Sequence, residues 1–328
     1  MQTVLSGIRP TGDLHLGNYF GAVRNFVKMQ ENYNCYFFIA DYHMLTTHPH
    51  PENLQINVKK VLSQYLACGL DPQKSTIYIQ SDLPQVTELY LILNMLAYVG
   101  ELERTTTFKE KVRKQPNNVN AGLLTYAVLM AADILIHNAH KVPVGKDQEQ
   151  HLEMTRNFAE RFNNLYQTQI FNLPEAFNFG EKLIKVPGLD GSGKMGKSEG
   201  NAINLIDEPE EIRKKIMRAV TDEGPQQQNS PMPEPIENLF TILKLVSDNS
   251  TYQYFLDKWS DCTIRYVDLK KQLAQDVINF TEPFRQRYND IFNNDDYLKK
   301  VMEIGKQKAS ESANKTIKEV RKVIGFFG

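Results

Sequence analysis

A parallel β-sheet covered by helices on both faces, carrying a helical insertion and followed by an all-helical C-terminal region, is the fold this 328-residue chain predicts. Three observations lead there. Short apolar runs alternate with amphipathic stretches as far as Tyr98, the pattern of parallel strands joined by crossover helices. Near Gly100 that alternation stops and helical spacing takes over. Beyond Pro235 every segment keeps a helical period.

The elements follow in order. Val4 to Ile8 is a short buried strand stopped by Pro10 and Gly12. The helix after it sets Tyr19, Phe20, Val23, Phe26 and Val27 on one face. Cys35 to Ala40 is a second strand closed by Asp41, Leu54 to Leu66 a helix, Thr76 to Ile79 a third strand and Leu89 to Tyr98 a helix. Glu101 to Lys114 is charged, Gln115 to Asn120 is a polar break, and helices run from Ala121 to His137 and from about Gln148 to Tyr166. The sheet is expected to resume at Leu183 to Val186, before a helix over Glu208 to Val220 and a loop over Thr221 to Pro235. In the last helix Ala313, Ile317, Val320 and Ile324 share a face. This gives a Rossmann-like sheet domain over 1–104 and 178–206, a helical insertion over 105–177, and a C-terminal helical domain over 207–328.

Composition narrows the function classes. Hydrophobic content of 41% is ample for a packed core. With 38 basic and 39 acidic residues no global basic field exists, so any nucleic-acid contact must be local. Three dispersed cysteines, Cys35, Cys68 and Cys262, fit a reducing cytoplasm and cannot form a zinc cage. The N-terminus lacks the features of a secretion signal, and the longest apolar stretch, Ala127 to Ile136, is too short to span a bilayer. A cytoplasmic protein without membrane contact is expected. From Lys299 onward eight basic residues face three acidic ones, which makes either a solvated helix face or a surface for phosphates.

Two loops carry nucleotide chemistry. In Pro10-Thr11-Gly12-Asp13-Leu14-His15-Leu16-Gly17-Asn18, a helix starting after a tight turn offers free N–H groups and a positive dipole end. Gly12 permits the turn, Gly17 permits close backbone approach, and His15 can donate to an oxygen gaining charge. A helix entry with an incidental histidine is the plainer reading. The second loop, Gly191 to Ser198, matches the G-x-x-x-x-G-K-S pattern. A true P-loop opens a helix at its Lys-Ser, and Gly200 and Asn201 oppose one here. A glycine-rich mobile loop placing Lys194 and Lys197 beside a departing pyrophosphate suits the residues better.

His15-Leu16-Gly17-Asn18 with Lys194-Met195-Gly196-Lys197-Ser198 resembles the paired HIGH and KMSKS motifs of class I aminoacyl-tRNA synthetases. Gly100 to Arg104, Phe108 to Lys111, Ala121 to Tyr126, Leu129 to Leu135 and Val142 to Gln148 are similar to the bacterial tryptophanyl type, and the likeness runs along essentially the whole chain. It implies tryptophan activation by ATP and transfer to tRNA(Trp) by a homodimer, with Mg2+ arriving on ATP and no zinc. It assigns catalysis to His15, Asn18, Lys194, Lys197 and Ser198. ATP contacts fall on Arg9, Pro10, Thr11, Gly17, Asn18, Gly145, Lys146, Asp147, Lys185 and Lys194 to Ser198, including Met195 and Gly196.

Tyr126, Met130 and Asp133, spaced i, i+4, i+7, share one helix face suited to clasping an indole, and by the resemblance Asp133 accepts the indole N–H. The alternative is an aspartate bonded to a neighbouring basic group in the core. Gln148, Gly7, Val142 and Val144 complete the tryptophan site by the same resemblance, and Lys109 or Lys111 reaches phosphates unless both are surface lysines. His43 matches a family position near the substrate, although packing explains it as well. Arg9 stands where the family has Gln, Gly196 where it has Ser, Lys146 where an acid is common, and Ala127 where Pro is usual. These departures bear on rate, ATP affinity and inhibitor sensitivity rather than on reaction type. Tyrosyl-tRNA synthetase, a nucleotidyltransferase that does not act on tRNA, and an inactive binding protein are the competing readings.

Overall fold

The computed structural model describes residues 1–145, 148–177, 184–196 and 199–327. In chain order the elements are β1 (Thr3–Ile8), α1 (Leu16–Asn18) running through a π-turn (Tyr19–Val23) into α2 (Arg24–Met29), β2 (Asn34–Ile39), a 3-10 turn (Tyr42–Thr47), α3 (Pro51–Ala67), β3 (Thr76–Ile79), α4 (Pro84–Asn94), α5 (Val99–Glu103), α6 (Thr106–Lys114), α7 (Ala121–Leu124), α8 (Tyr126–Ile136), β4 (Lys141–Val142), α9 (Glu149–Leu165) and β5 (Glu175–Ala176). Five further helices follow: α10 (Pro209–Met217), α11 (Glu234–Val246), α12 (Asn249–Ser260), α13 (Tyr266–Phe292) and α14 (Asp295–Ile324).

The strands form one parallel sheet in the order β3-β2-β1-β4-β5. Successive side chains of a strand point to opposite faces. Val4, Cys35, Phe37, Ile39 and Ile77 accordingly enter one core, with α3, α11 and α13. Leu5, Tyr36, Phe38 and Tyr78 enter the other, with α4, α8, α9 and the end of α14. Apolar runs buried on both faces are what a doubly covered parallel sheet requires.

The expected elements differ in three places. The helix expected from Leu89 starts at Pro84, because proline is pre-organised for a first helical turn, and it ends at Asn94. The apolar helix expected from Ala121 to His137 breaks at Thr125, whose hydroxyl turns back to the Ala121 carbonyl at 2.9 Å. No strand forms over 184–186, and Leu183 lies outside the described residues; β4 and β5 extend the sheet instead. Strands of two residues are too short to leave an alternating signature.

The last helix closes the sheet. α14 lies along the edge strand β3 with Gly305 directly on it, where any Cβ would overlap the Ile77 carbonyl oxygen. Ala309, Ala313, Ile317 and Val320 then pack into the core that also contains α8, while Ile324 is half-buried. His137, at the end of α8, lies between Tyr78 Oη and Ser312 Oγ of α14, 3.0 Å from each. Burial holds its pKa down near 3, so the ring is neutral.

Candidate functional site

The first loop is fixed by its own residues. After β1 the chain turns through Arg9 and Pro10, with Thr11 N–H donating to the Arg9 carbonyl at 2.8 Å. Gly12 takes φ +118°, a region closed to most side chains. His15 caps α1: Asn18 N–H donates to its Nδ1 at 3.3 Å, and His15 N–H donates to Asn18 Oδ1 at 3.2 Å. An Nδ1 that accepts leaves the ring proton on Nε2, so the neutral imidazole is set to donate from there. Gly17 makes room for that ring, since a Cβ there would come within 2.9 Å of it. The backbone freedom expected at Gly17 is thus used first by the neighbouring histidine.

The second loop is brought against the first. Leu16 N–H donates to the Ile203 carbonyl at 3.0 Å and Leu205 N–H to the Leu14 carbonyl at 2.8 Å, a short antiparallel bridge across His15 and Asn204. Met195 is buried beneath Gly17, its N–H bonded to the Val186 carbonyl at 2.8 Å. Lys194 and Lys185 have exposed side chains. Among the described residues no α-helix opens after the loop; Gly200 takes φ +68° and the next α-helix begins at Pro209. Lys197 and Ser198 lie outside the described residues, as do Lys146 and Asp147. Gly145, beside the latter pair, accepts from Gln148 N–H at 2.9 Å.

Asp133 stands at the carboxyl end of the sheet, 1% exposed. His43 Nε2 lies 2.9 Å from its Oδ2, and Gln80 Nε2 donates to Oδ1 at 2.8 Å and to Oδ2 at 2.9 Å. Burial raises the carboxyl pKa, and the His43 and Gln80 bonds oppose that rise. The acid is therefore partnered without the ligand, so a ligand lacking an N–H does not leave it bare. Oδ1 has one protein donor where Oδ2 has two, so Oδ1 retains the greater capacity to accept another.

The remaining pocket residues converge from four elements. The Tyr126 ring lies 4.4 Å from the His43 ring and 5.7 Å from His151, whose Nδ1 is 3.1 Å from Gln148 Oε1. Met130 and Val144 are half-buried, and Val142 is buried. Gly7 is open on one side, and a Cβ on it would overlap the Phe38 ring. Burial raises the Tyr126 phenol pKa while the Arg9 cation opposes it. Burial also lowers Lys111, helped by Arg9 and Lys114. The Arg9 cation thus lies within the field of both Tyr126 and Lys111. Lys109, on the same helix, is exposed.

Gln80 escaped the sequence reading, whereas His43 is legible there both as a family position near the substrate and as a packing residue. Both follow strands directly, β2 and β3. The rule that ligands bind at the carboxyl ends of parallel strands nominates them once it is applied beyond β1.

The profile described as tRNA synthetases class I (W and Y) matches residues 1–282. A tryptophan–tRNA ligase of Porphyromonas gingivalis is 63% identical over 326 residues, covering 99% of this chain and 100% of the relative. One from Fusobacterium nucleatum is 41% identical over 328 residues, covering 100% of this chain and 99% of the relative. The crystal structure of the Campylobacter jejuni tryptophanyl-tRNA synthetase complexed with ADP and tryptophan superposes with a TM-score of 0.90 at 37% identity, covering 99% of this chain and 100% of that one.

Proposed function

We propose a mechanism for this chain from the premise that it belongs to the class I tRNA synthetases for tryptophan and tyrosine, and within them to the bacterial tryptophan–tRNA ligases. It is an enzyme that activates tryptophan with ATP and charges tRNA. In our reading the tryptophan carboxylate attacks the ATP α-phosphorus, forming the acyl–phosphate bond as the α–β phosphoanhydride breaks and pyrophosphate departs. The nucleophile is already ionised, so no general base is required. Catalysis is alignment together with neutralisation of the leaving group. His15 Nε2–H donates a hydrogen bond, Lys194, Lys197 and the Arg9–Lys111 pair supply positive charge, and Mg2+ enters as part of the nucleotide substrate. A hydroxyl of the terminal tRNA adenosine then attacks the acyl carbon and AMP leaves.

The observation that carries this reading is the backbone bridge joining Leu14 and Leu16 to Ile203 and Leu205, which, with Met195 against Gly17, sets the two loops side by side. The Campylobacter jejuni enzyme, bound to ADP and tryptophan, supports both ligands. The indole N–H is assigned to Asp133 Oδ1, with Tyr126, Met130, His43, Val142, Val144 and Gly7 around the ring and Gln148 toward the amino acid backbone. Exposed cations of α14, among them Lys299, Lys300, Lys315 and Lys318, suit tRNA(Trp) phosphates. Arg321 pairs with Glu88 at 2.6 Å and Lys308 donates to the Pro72 carbonyl at 3.0 Å, which removes both from that surface.

A homodimer is supported by Leu91, Met95, Tyr98 and Val99, an apolar run 57–74% exposed just ahead of the helical insertion. Among the described residues no helix is long and apolar enough to cross a membrane, and a cytoplasmic location is our reading. Amino-acid-dependent ATP–pyrophosphate exchange tests the function: exchange with tryptophan and not tyrosine, followed by charging of tRNA(Trp), is expected. Exchange with tyrosine alone overturns it.

A further inference from the structure

Asn201 is a short, buried, uncharged side chain three residues past the second motif, and its carboxamide makes an unusual number of bonds. Its Oδ1 accepts from Gly196 N–H at 2.9 Å. Its Nδ2 lies 3.0 Å from Asp190 Oδ1, 3.0 Å from Ser192 Oγ and 3.2 Å from the Lys194 carbonyl. The amide group lies against Gly188, where a Cβ would overlap it. Asp190 is drawn into the same knot. It also accepts from Ser192 N–H at 3.0 Å and Ser192 Oγ–H at 2.7 Å, and these bonds with that from Asn201 hold its carboxyl below the usual range.

Backbone bonds also brace the turn: Met195 N–H donates to the Val186 carbonyl at 2.8 Å and Gly188 N–H to the Ser192 carbonyl at 3.0 Å. Val220 N–H reaches the Leu189 carbonyl, and Asn238 Nδ2 the Ser192 carbonyl. Behind the loop a cleft of about 360 Å3, lined in part by Asp190, Asn201, Lys214 and Arg218, separates it from α10. The three glycines, left alone, would make this turn slack. The Asn201 carboxamide ties Ser192, Lys194 and Gly196 to one point. Its own backbone is two residues from Ile203, which is bonded to Leu16 in the first loop. The Asn201 side chain therefore joins three residues of the Lys194 turn to the segment that is bonded to the first loop.

We infer that Asn201 is a positioning residue for adenylate formation, holding the Lys194–Gly196 turn at a fixed distance from the first loop. The inference rests on the reading of the second loop as the one that meets the ATP phosphates. Since it acts on alignment of the leaving group, its loss lowers turnover and leaves tryptophan binding alone.

Four variants test it by tryptophan-dependent ATP–pyrophosphate exchange, with tryptophan affinity measured by calorimetry and folding by thermal melting. Asn201→Asp sets two carboxylates against each other and removes the donors. Its kcat is expected to fall about 100-fold, the scale of a misplaced catalytic group, with the tryptophan affinity unchanged. Asn201→Ala is expected to fall in the same direction and serves if the aspartate variant does not fold. Asp190→Asn combined with Asn201→Asp restores one acid and one amide across the same gap, and is expected to recover most of the lost kcat. Lys194→Ala is expected to be slow. If it is slow while both Asn201 single variants turn over like the parent, the inference is overturned. A parallel fall in kcat and tryptophan affinity, unrescued by the swap, also overturns it by making Asn201 merely structural. If Lys194→Ala itself is unimpaired, the reading of the loop fails.

Discussion

Replacing Gln80 with methionine removes a donor from Asp133 while keeping an unbranched side chain of similar length. Gln80 is fully buried, and among the described residues its Nε2 is the donor to Asp133 Oδ1, at 2.8 Å. Its Oε1 accepts from Tyr42 N–H at 3.1 Å, but that N–H also reaches Asp41 Oδ1 at 3.0 Å and keeps a partner. The change therefore isolates the carboxylate contact. A hydrogen bond to a charged group contributes about 1.5–3 kcal/mol. The Gln80 bond is present with and without tryptophan, so its loss should lower stability by about 1.5–3 kcal/mol, and kcat/KM for tryptophan should fall only as far as Asp133 loses the position in which it meets the indole N–H. The ATP KM should not change. Asp133 already has a raised pKa from burial, opposed by His43 and Gln80, with Asp41 raising it further. Tyr78 and Tyr126 also lie within its field. Losing Gln80 raises it again, so tryptophan KM in Gln80→Met should begin to climb at a higher pH as the solution is acidified.

The stability sign is the opposite. A carboxyl whose pKa rises on folding contributes stability that is full below its unfolded value and lost as pH rises through the folded value. Gln80→Met should thus melt furthest below the parent at neutral pH, the gap narrowing toward acid. Exchange kinetics with tryptophan and ATP varied in turn, at neutral and acidic pH, provide the assay. An equal loss for both substrates, or an unaltered pH dependence of tryptophan KM, refutes the reasoning.

Three other outcomes are expected. Gly305→Ala forces α14 away from the β3 backbone and should lower Tm, since overpacking costs about 1–3 kcal/mol; an unchanged melt would mean the helix lifts freely. His137 contributes stability that is full above its ordinary pKa of 6.5 and is lost as pH falls toward about 3, so the parent should destabilise progressively over that window and His137→Gln should lack that component. Met95→Glu, at a residue 74% exposed, should shift the particle from dimer to monomer in light scattering without loss of fold.

What could be read from the chain depended on periodicity and on motif chemistry. β1, β2 and β3 were legible because their alternate residues enter two different cores, leaving continuous apolar runs. β4 and β5 were not, because a pair of residues has no period. The first loop was legible from His15, Gly17 and Asn18, whose capping bonds are local. Gln80 was hidden because it meets Asp133 across 53 positions of sequence, and a lone glutamine after a strand has no pattern. Asn201 reads in sequence as a residue that discourages a helix; its bonds to Asp190, Ser192 and Gly196 exist only once the loop has closed.

The most direct measurement compares tryptophan with its benzothiophene isostere, in which sulfur replaces the ring N–H. Because Asp133 keeps its bonds to His43 and Gln80 whichever ligand is present, the isostere should lose one charge-assisted bond, about 1.5–3 kcal/mol, or roughly 10- to 150-fold in kcat/KM. In Asp133→Ala that preference should vanish. Equal use of the two ligands by the parent enzyme, or a preference that survives in Asp133→Ala, contradicts the assignment of the indole N–H to this carboxylate.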